Sequence, residues 1–204
     1  MNIVCLDLEG VLVPEIWIAF AEATGISELR RTTRDEPDYD KLMSWRLDLL
    51  KKNGLKLGDI QKVISGMEPL DGAREFIEKL RERSQLIILS DTFEQFAQPL
   101  MRHLGWPTLF CNSLTVNEPG EVTGYELRQP NGKKRAVEGL KAMGFTVSAA
   151  GDSYNDVAML QTADKGFFFR PPQPIISQFP EIPVAQTHQE LFTLLFPSSE
   201  APGT

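Results

Sequence analysis

The segment Ile3-Val4-Cys5-Leu6-Asp7-Leu8-Glu9-Gly10 indicates the fold class. A short apolar and partly β-branched run, 3–6, stops at an acidic pair, which is typical of a buried parallel strand. Two later apolar runs, 85–89 and 147–150, also end abruptly in polar residues. Helical patterns separate the three runs, so we predict an α/β protein. Its sheet should be doubly wound, mostly parallel and covered by helices on both faces.

The other elements are predicted from apolar periodicity and from the positions of glycine and proline. A fourth buried strand is expected at 166–169, and a hairpin joins 108–116 to 121–127. The predicted helices are 14–24, 39–53, 58–66, 70–83, 93–104 with a distortion at Pro99, and 134–143. The helices between 14 and 68 carry little β signal, so we expect a small helical cap there. The core domain would then comprise 1–13 and 69–204, with a frayed tail after Pro197.

The bulk composition excludes several classes of protein. The 204 residues are 42% hydrophobic and 24% charged, which is ordinary for a globular domain. The net charge of −7 argues against a nucleic-acid partner, since phosphate backbones require basic surface. No membrane span or signal peptide is apparent at the start, and Cys5 and Cys111 lack a metal-site spacing. We expect a cytoplasmic protein; the sequence does not define its oligomeric state, and a homodimer is kept as an expectation.

The first strand ends at Asp7 and Glu9, two acidic residues separated by one leucine. Carboxylates at the end of an apolar strand are costly unless something compensates their charge. Mg²⁺ does so well, since it takes one or two carboxylates together with substrate phosphate oxygens. The alternative is that these acids cap a helix or stabilise a turn. This segment alone leaves both interpretations open.

Polar residues also follow the second and third strands. Ser90-Asp91-Thr92 offers a hydroxyl that can donate to a phosphoryl oxygen, although it can equally cap the next helix. Gly151 permits a tight turn before Asp152 and Asp156, which suit a metal ligand and a supporting acid. In open α/β sheets, ligands bind beyond the carboxyl ends of the strands, near the point where strand order reverses. The polar residues cluster at three such ends.

In chain order, Asp-x-Glu, Ser, Lys and Gly-Asp-x-x-x-Asp resemble the motifs of the haloacid dehalogenase (HAD) superfamily. The match spans nearly the whole chain, and the predicted helical insertion resembles that superfamily's small cap. The lysine of the motif is either Lys133 or Lys134, which follow Asn131-Gly132. We prefer Lys133 because it lies just before the predicted helix.

The resemblance implies a role for each residue of the motifs. Asp7 would be the nucleophile that forms an aspartyl-phosphate, while Ser90 and the lysine would hold the phosphoryl oxygens. Mg²⁺ would be bound by the Asp7 carboxylate, the Glu9 backbone carbonyl and Asp152. Asp156 would support and orient these ligands. The other residues expected at the substrate are Asp91, Thr92 and Asn155.

The side chain of Glu9 departs from the superfamily's pattern. Phosphatases of the superfamily usually have Asp at this position, as acid for the leaving oxygen and base for the incoming nucleophile. Glu is one methylene longer than Asp, so either the side chain reaches further or the neighbouring backbone is adjusted. The sequence therefore does not define how efficiently water attacks the phospho-enzyme. A slower hydrolysis step would give a second acceptor more time to intercept the phospho-enzyme.

Arg46 lies near the middle of the apolar face of the predicted helix 39–53, with Leu42, Met43 and Leu50. A guanidinium that faces inward needs an anion, which is either a substrate carboxylate or an acid of the core. Glu15, at the mouth of the predicted cap, either favours the helix dipole or binds a substrate ammonium. Together, Glu15 and Arg46 would recognise both charges of an amino acid.

The segments 7–15 and 46–51 resemble phosphoserine phosphatases. Asp-Leu-Glu-Gly-Val-Leu-Val-Pro-Glu, Ser-Asp-Thr-Phe and Ala-Gly-Asp-Ser-Tyr-Asn-Asp are most similar to the bifunctional phosphoserine phosphatase and phosphoserine:homoserine phosphotransferase subgroup. The resemblance implies L-phosphoserine as substrate, L-homoserine as a second acceptor, and a place in amino-acid biosynthesis. The alternative is a HAD phosphatase that acts on another small phosphorylated metabolite.

Overall fold

The computed structural model describes residues 1–32, 35–36 and 38–197. The expected fraying after Pro197, and part of the polar stretch 30–38, lie outside these residues. The described chain forms a seven-stranded sheet in the order β4-β3-β2-β1-β5-β6-β7, in which only the β3–β4 pair is antiparallel. The strands are β1 (Asn2–Leu6), β2 (Gln85–Phe93), β3 (Thr108–Val116), β4 (Val122–Glu126), β5 (Thr146–Gly151), β6 (Lys165–Phe169) and β7 (Val184–Ala185).

Helices cover both faces of this sheet. They are α1 (Ile16–Thr24), α2 (Tyr39–Lys52), α3 (Leu57–Ile64), α4 (Ala73–Arg83), α5 (Glu94–His103), α6 (Gly132–Ala142), α7 (Val157–Thr162), α8 (Gln173–Gln178) and α9 (His188–Leu195). Side chains alternate along β1, so Val4 and Leu6 join one buried cluster while Ile3 and Cys5 join the other. Helices α1–α5 and α9 contribute to the first cluster and α6–α8 to the second. The predicted fold class is confirmed.

The three helices expected to form a cap, α1 to α3, share the first buried cluster with the sheet. Asp38 caps α2 by accepting a hydrogen bond from the backbone N–H of Lys41. At the same end of α2, the ring of Tyr39 packs edge-on against Tyr125 of β4. The division into a core and a cap stays a prediction, but this packing seats α2 against the edge hairpin of the sheet.

Two predicted boundaries are wrong in ways that matter for the site. Strand β2 continues past 89 to Phe93, so Ser90-Asp91-Thr92 lies within the strand, and no side chain caps α5. Helix α6 begins at Gly132, because Asn131 adopts a left-handed turn at φ 51°. Lys133 is therefore inside the helix and not before it.

Four elements were not predicted: α7, α8, β7 and α9. Each spans eight residues or fewer, too short for an apolar period to repeat clearly. Two short 3₁₀ turns, Ser27–Arg30 and Tyr154–Asp156, were also missed. Within the ranges that the structure describes, no helix is both long and apolar enough to cross a bilayer.

Candidate active site

The ends of three neighbouring strands bring the predicted residues together. Strand β1 lies between β2 and β5, so the order of the strands reverses around it. Asp7 follows β1, and its backbone N–H donates to Ala150 of β5 at 2.9 Å. Ser90 lies in β2 and Asp152 directly after β5, so both flank Asp7 at the carboxyl edge of the sheet.

Lys133 is the lysine that reaches this edge. Its Nζ lies 2.9 Å from Asp7 Oδ1 and 2.7 Å from Asp156 Oδ1, and all three side chains are buried. Lys134 points elsewhere, to an exposed pair with Glu138 at 3.5 Å. Of these two lysines only Lys133 contacts Asp7, so its position favours Lys133 as the lysine of the motif.

Three buried carboxylates, those of Asp7, Asp152 and Asp156, approach within 4.8 Å of one another. Burial, followed by the charges of Asp156 and Asp152, raises the pKa of Asp7 well above its usual range, although Lys133 opposes this. Burial alone would lower the pKa of Lys133, but Asp156, Asp7 and Asp91 outweigh it and raise that pKa. The cluster therefore carries more negative charge than its lysine compensates, which fits an additional cation.

Two glycines leave room for these carboxylates. Gly10 has a φ of 78°, and a side-chain carbon there would come within 2.5 Å of the Asp152 carboxylate. A side chain at Gly151 would collide with Asp156, whose Oδ2 accepts hydrogen bonds from the backbone N–H groups of Asp152 (3.0 Å) and Ser153 (3.1 Å). Asp156 thus fixes the turn that carries Asp152, which explains why this acid supports the site.

Glu9 connects the site to the first helix of the predicted cap. Its Oε2 accepts a hydrogen bond of 2.8 Å from the backbone N–H of Ile16, at the start of α1. Burial in the site, and then repulsion by Glu15, raise the pKa of Glu9 to about 8. The hydrogen bond from the Ile16 N–H and the charge of Arg46 lower this pKa, but by less. A carboxyl group with this pKa retains its proton at neutral pH.

Arg46 is a buried cation whose guanidinium is incompletely satisfied. One terminal nitrogen donates to the backbone oxygen of Arg31 at 2.8 Å, while Nε has no hydrogen-bond partner. The group lies 4.5 Å from the centre of the Trp17 ring. No salt bridge joins it to an acid of the described chain, and burial lowers its pKa to about 10. An internal ion pair, the simpler of the two interpretations, is therefore absent from the described residues.

The side chain of Asp91 forms one wall of the site. Its carboxylate accepts a hydrogen bond from Asn155 Nδ2 at 2.9 Å and lies 3.8 Å from Lys133 Nζ. The backbone oxygen of Asp91 accepts from Asn112 Nδ2 at 3.1 Å and from the Tyr39 hydroxyl at 3.3 Å. These bonds hold the extended end of β2 against the cap helix and the neighbouring strand.

All of the predicted site residues except Asp156 line one cavity of about 100 Å³. The predicted residues that line it are Asp7, Glu9, Glu15, Arg46, Ser90, Asp91, Thr92, Lys133, Asp152 and Asn155. Five further lining residues were not predicted: Trp17, Thr32, Tyr39, Phe93 and Ser153. Of these, Trp17 and Tyr39 could have been predicted near the site, since each lies within a turn of the start of a predicted cap helix. The cavity has the size and polarity for a small charged molecule.

A buried carboxylate, a lysine and a pair of acids that could hold a metal ion meet at a topological switch point, as expected for a phosphoryl-transfer site of the HAD type. The family model of haloacid dehalogenase-like hydrolases matches residues 1–164, and the chain belongs to this family. Phosphoserine phosphatase ThrH of Pseudomonas aeruginosa is 56% identical over 191 residues, which cover 94% of this chain and 93% of that protein.

Two further comparisons agree in class. A phosphoserine phosphatase of Pseudomonas syringae pv. tomato is also 56% identical, over 94% of this chain and 81% of that protein. Among solved structures, an apo crystal structure of phosphoserine phosphatase superposes with a TM-score of 0.78 at 23% identity, covering 97% of this chain and 99% of that one. At this identity, the structural likeness establishes the fold alone.

Proposed function

We propose that this chain is a phosphoserine phosphatase that works through an aspartyl-phosphate on Asp7. The observation that carries the substrate assignment is Arg46, a buried and incompletely bonded guanidinium that lines the same cavity as Asp7 and Lys133. An unpaired buried charge is strongly unfavourable, so the site is suited to a ligand that brings an anion. The similarity to two proteins named phosphoserine phosphatase supports the same assignment.

In the first step, a carboxylate oxygen of Asp7 attacks phosphorus, and the bond between phosphorus and the serine oxygen breaks. Lys133 and Ser90 line the same cavity as Asp7 and hold the phosphoryl oxygens, which offsets the charge on the transferring group. Glu9 gives its proton to the serine oxygen as that oxygen leaves. In the second step, Glu9 takes a proton from water, which attacks phosphorus and releases Asp7.

The buried acids fit a magnesium ion, because hard cations prefer carboxylate and carbonyl oxygens. Asp7, Asp152 and the backbone carbonyl of Glu9 would hold it, with Asp156 supporting Asp152 through the backbone N–H. When bound, the ion neutralises charge on the phosphoryl group and on the clustered acids.

Arg46 and Glu15 complete the recognition of an amino acid. The planar guanidinium of Arg46 would bind the substrate carboxylate, for which its Nε is unpaired. Glu15 immediately precedes α1, yet its side chain makes no capping hydrogen bond and lines the cavity. Glu15 is therefore placed to bind the substrate ammonium.

Replacing Arg46 with alanine tests the carboxylate assignment. For L-phosphoserine we expect kcat/KM to fall by about 10- to 100-fold, because a hydrogen bond between charged groups contributes about 1.5–3 kcal/mol. Phosphoethanolamine, which lacks the carboxylate, should be hydrolysed by the variant and the parent at similar rates. Equal losses for both substrates would show that Arg46 acts only through packing against Trp17.

We further propose that homoserine competes with water for the phospho-enzyme. The supporting feature is Glu9, whose longer side chain is held by Ile16. Shortening it in Glu9→Asp removes this contact and frees the carboxyl group to activate water. We expect hydrolysis to rise several-fold relative to phosphohomoserine formation in a mixture of both acceptors. An unchanged ratio would mean that Glu9 does not control the choice of acceptor.

The decisive experiment is phosphate release from L-phosphoserine with Mg²⁺, run with and without L-homoserine. Release that homoserine partly diverts to phosphohomoserine supports the full proposal. Release that homoserine cannot divert leaves a phosphoserine phosphatase alone. Absence of any reaction, with activity on another small phosphate, would remove the substrate assignment while retaining the Asp7 chemistry.

A homodimer stays a prediction, which light scattering of the same sample can test.

A further inference from the structure

His188, the first residue of α9, lies far in sequence from the site but contacts the base of the predicted cap. It is 6% exposed, and both of its ring nitrogens face backbone carbonyl oxygens. Nδ1 lies 3.0 Å from the oxygen of Asp71, and Nε2 lies 2.8 Å from the oxygen of Val11. A carbonyl oxygen can only accept a hydrogen bond, so a ring nitrogen that carries a proton donates to one of these two oxygens.

Aromatic side chains hold the ring in place. It stacks on Phe169 at 4.6 Å and lies 5.1 Å from Phe76. This packing fixes the plane of the ring and directs its two nitrogens at the two carbonyl oxygens.

Charged groups on the elements around the ring are engaged elsewhere. Glu190 of α9 accepts a hydrogen bond from the backbone N–H of Gln186, and Arg170, after β6, lies over the ring of Phe169. The side chain of Asp71 is exposed, and only its backbone oxygen meets the histidine. No ion pair to His188 occurs within residues 1–32, 35–36 and 38–197. The two carbonyl groups are thus the polar partners of the ring among the described residues.

The two carbonyls belong to the two chain segments that join the cap to the sheet. Val11 lies in the turn that leaves β1 and carries Glu9, and Asp71 lies in the segment that returns to α4. One direct backbone hydrogen bond, from Leu70 N–H to the oxygen of Leu12 at 2.9 Å, also joins these segments. His188 adds a second connection and ties both segments to α9, beyond the residues 1–164 that the family model covers.

We propose that His188 is a clamp on the two segments at the base of the cap, which it contacts through the backbone carbonyl groups of Val11 and Asp71, and that it positions the turn that carries Glu9. The proposal depends on the phosphoryl-transfer class of the site and not on the identity of the substrate. His188 is a positioning residue, because it acts through the carbonyl of Val11 and does not touch the reacting groups.

Two variants separate positioning from general stability. In His188→Gln the amide nitrogen replaces Nε2 and keeps the bond to Val11, whereas in His188→Asn it replaces Nδ1 and keeps the bond to Asp71. Each variant loses one bond, so both should lose similar stability in urea. We expect kcat with p-nitrophenyl phosphate to fall on the order of 10-fold further in the asparagine variant, with little change in KM. Equal kcat values in the two folded variants would overturn the positioning role.

Discussion

Asp7→Asn is expected to lower turnover of L-phosphoserine on the order of 10⁴-fold or more, because an amide cannot act as the nucleophile. The parent enzyme, quenched in acid during turnover, should show a protein mass increased by one phosphoryl group, and the variant should show none. The substitution also removes one member of a crowded acidic cluster, so we expect the variant to fold and to be at least as stable as the parent.

Asp164→Asn is a suitable control, because it also changes an aspartate to an asparagine. Asp164 follows β5 in the sequence and pairs with Lys141 at the surface, at 2.9 Å, outside the cavity. We expect its turnover to match that of the parent within about a factor of two.

Phosphorylation of the Asp7→Asn protein at full rate would exclude Asp7 as the nucleophile. Another group of the cavity would then have to carry the phosphoryl group.

Lys133→Met is expected to have the largest combined effect on activity and stability. It removes the group that contacts Asp7 and Asp156 and leaves buried carboxylates without their cation. Breaking a buried pair in this way costs about 3–5 kcal/mol of unfolding free energy. Loss of a preorganised phosphoryl ligand lowers kcat on the order of 10²- to 10³-fold. Urea unfolding without Mg²⁺ and steady-state kinetics with Mg²⁺ measure the two effects.

Lys134→Met provides the matched control, since it changes the adjacent residue to the same side chain. Its lysine forms only an exposed pair with Glu138, so both stability and turnover should stay close to those of the parent, within about 0.5 kcal/mol. Equal effects of the two substitutions would mean that neither lysine holds the phosphoryl group.

The sheet and its acidic edge could be predicted because they depend on local patterns. The runs before Asp7 and Asp152 are short and followed by acids, and the first is partly β-branched, a pattern typical of buried parallel strands. The same reasoning placed Arg46 on the buried face of α2, where the structure has it. The partner of that arginine could not be derived, since it depends on which elements pack over the helix.

The choice between Lys133 and Lys134 depends on a single backbone angle. The left-handed conformation of Asn131 starts α6 at Gly132, and successive residues then point about 100° apart around the helix. One lysine therefore enters the site while its neighbour faces solvent. Nothing in two adjacent, chemically identical residues encodes this difference. His188 escaped detection for a related reason, because a single buried histidine on a short helix forms no pattern.

The order of the strands also has a consequence for how the chain acquires its structure. Residue Ile3 of β1 pairs with Gln85, and Asn2 pairs with Thr146, so both partners of the central strand are distant in sequence. Closing loops of this length is entropically costly, and topologies dominated by such contacts fold slowly. During synthesis on the ribosome, β1 can pair on only one side until β5 has emerged. Until then its other edge is unpaired, and an unpaired apolar edge is prone to pair with other chains.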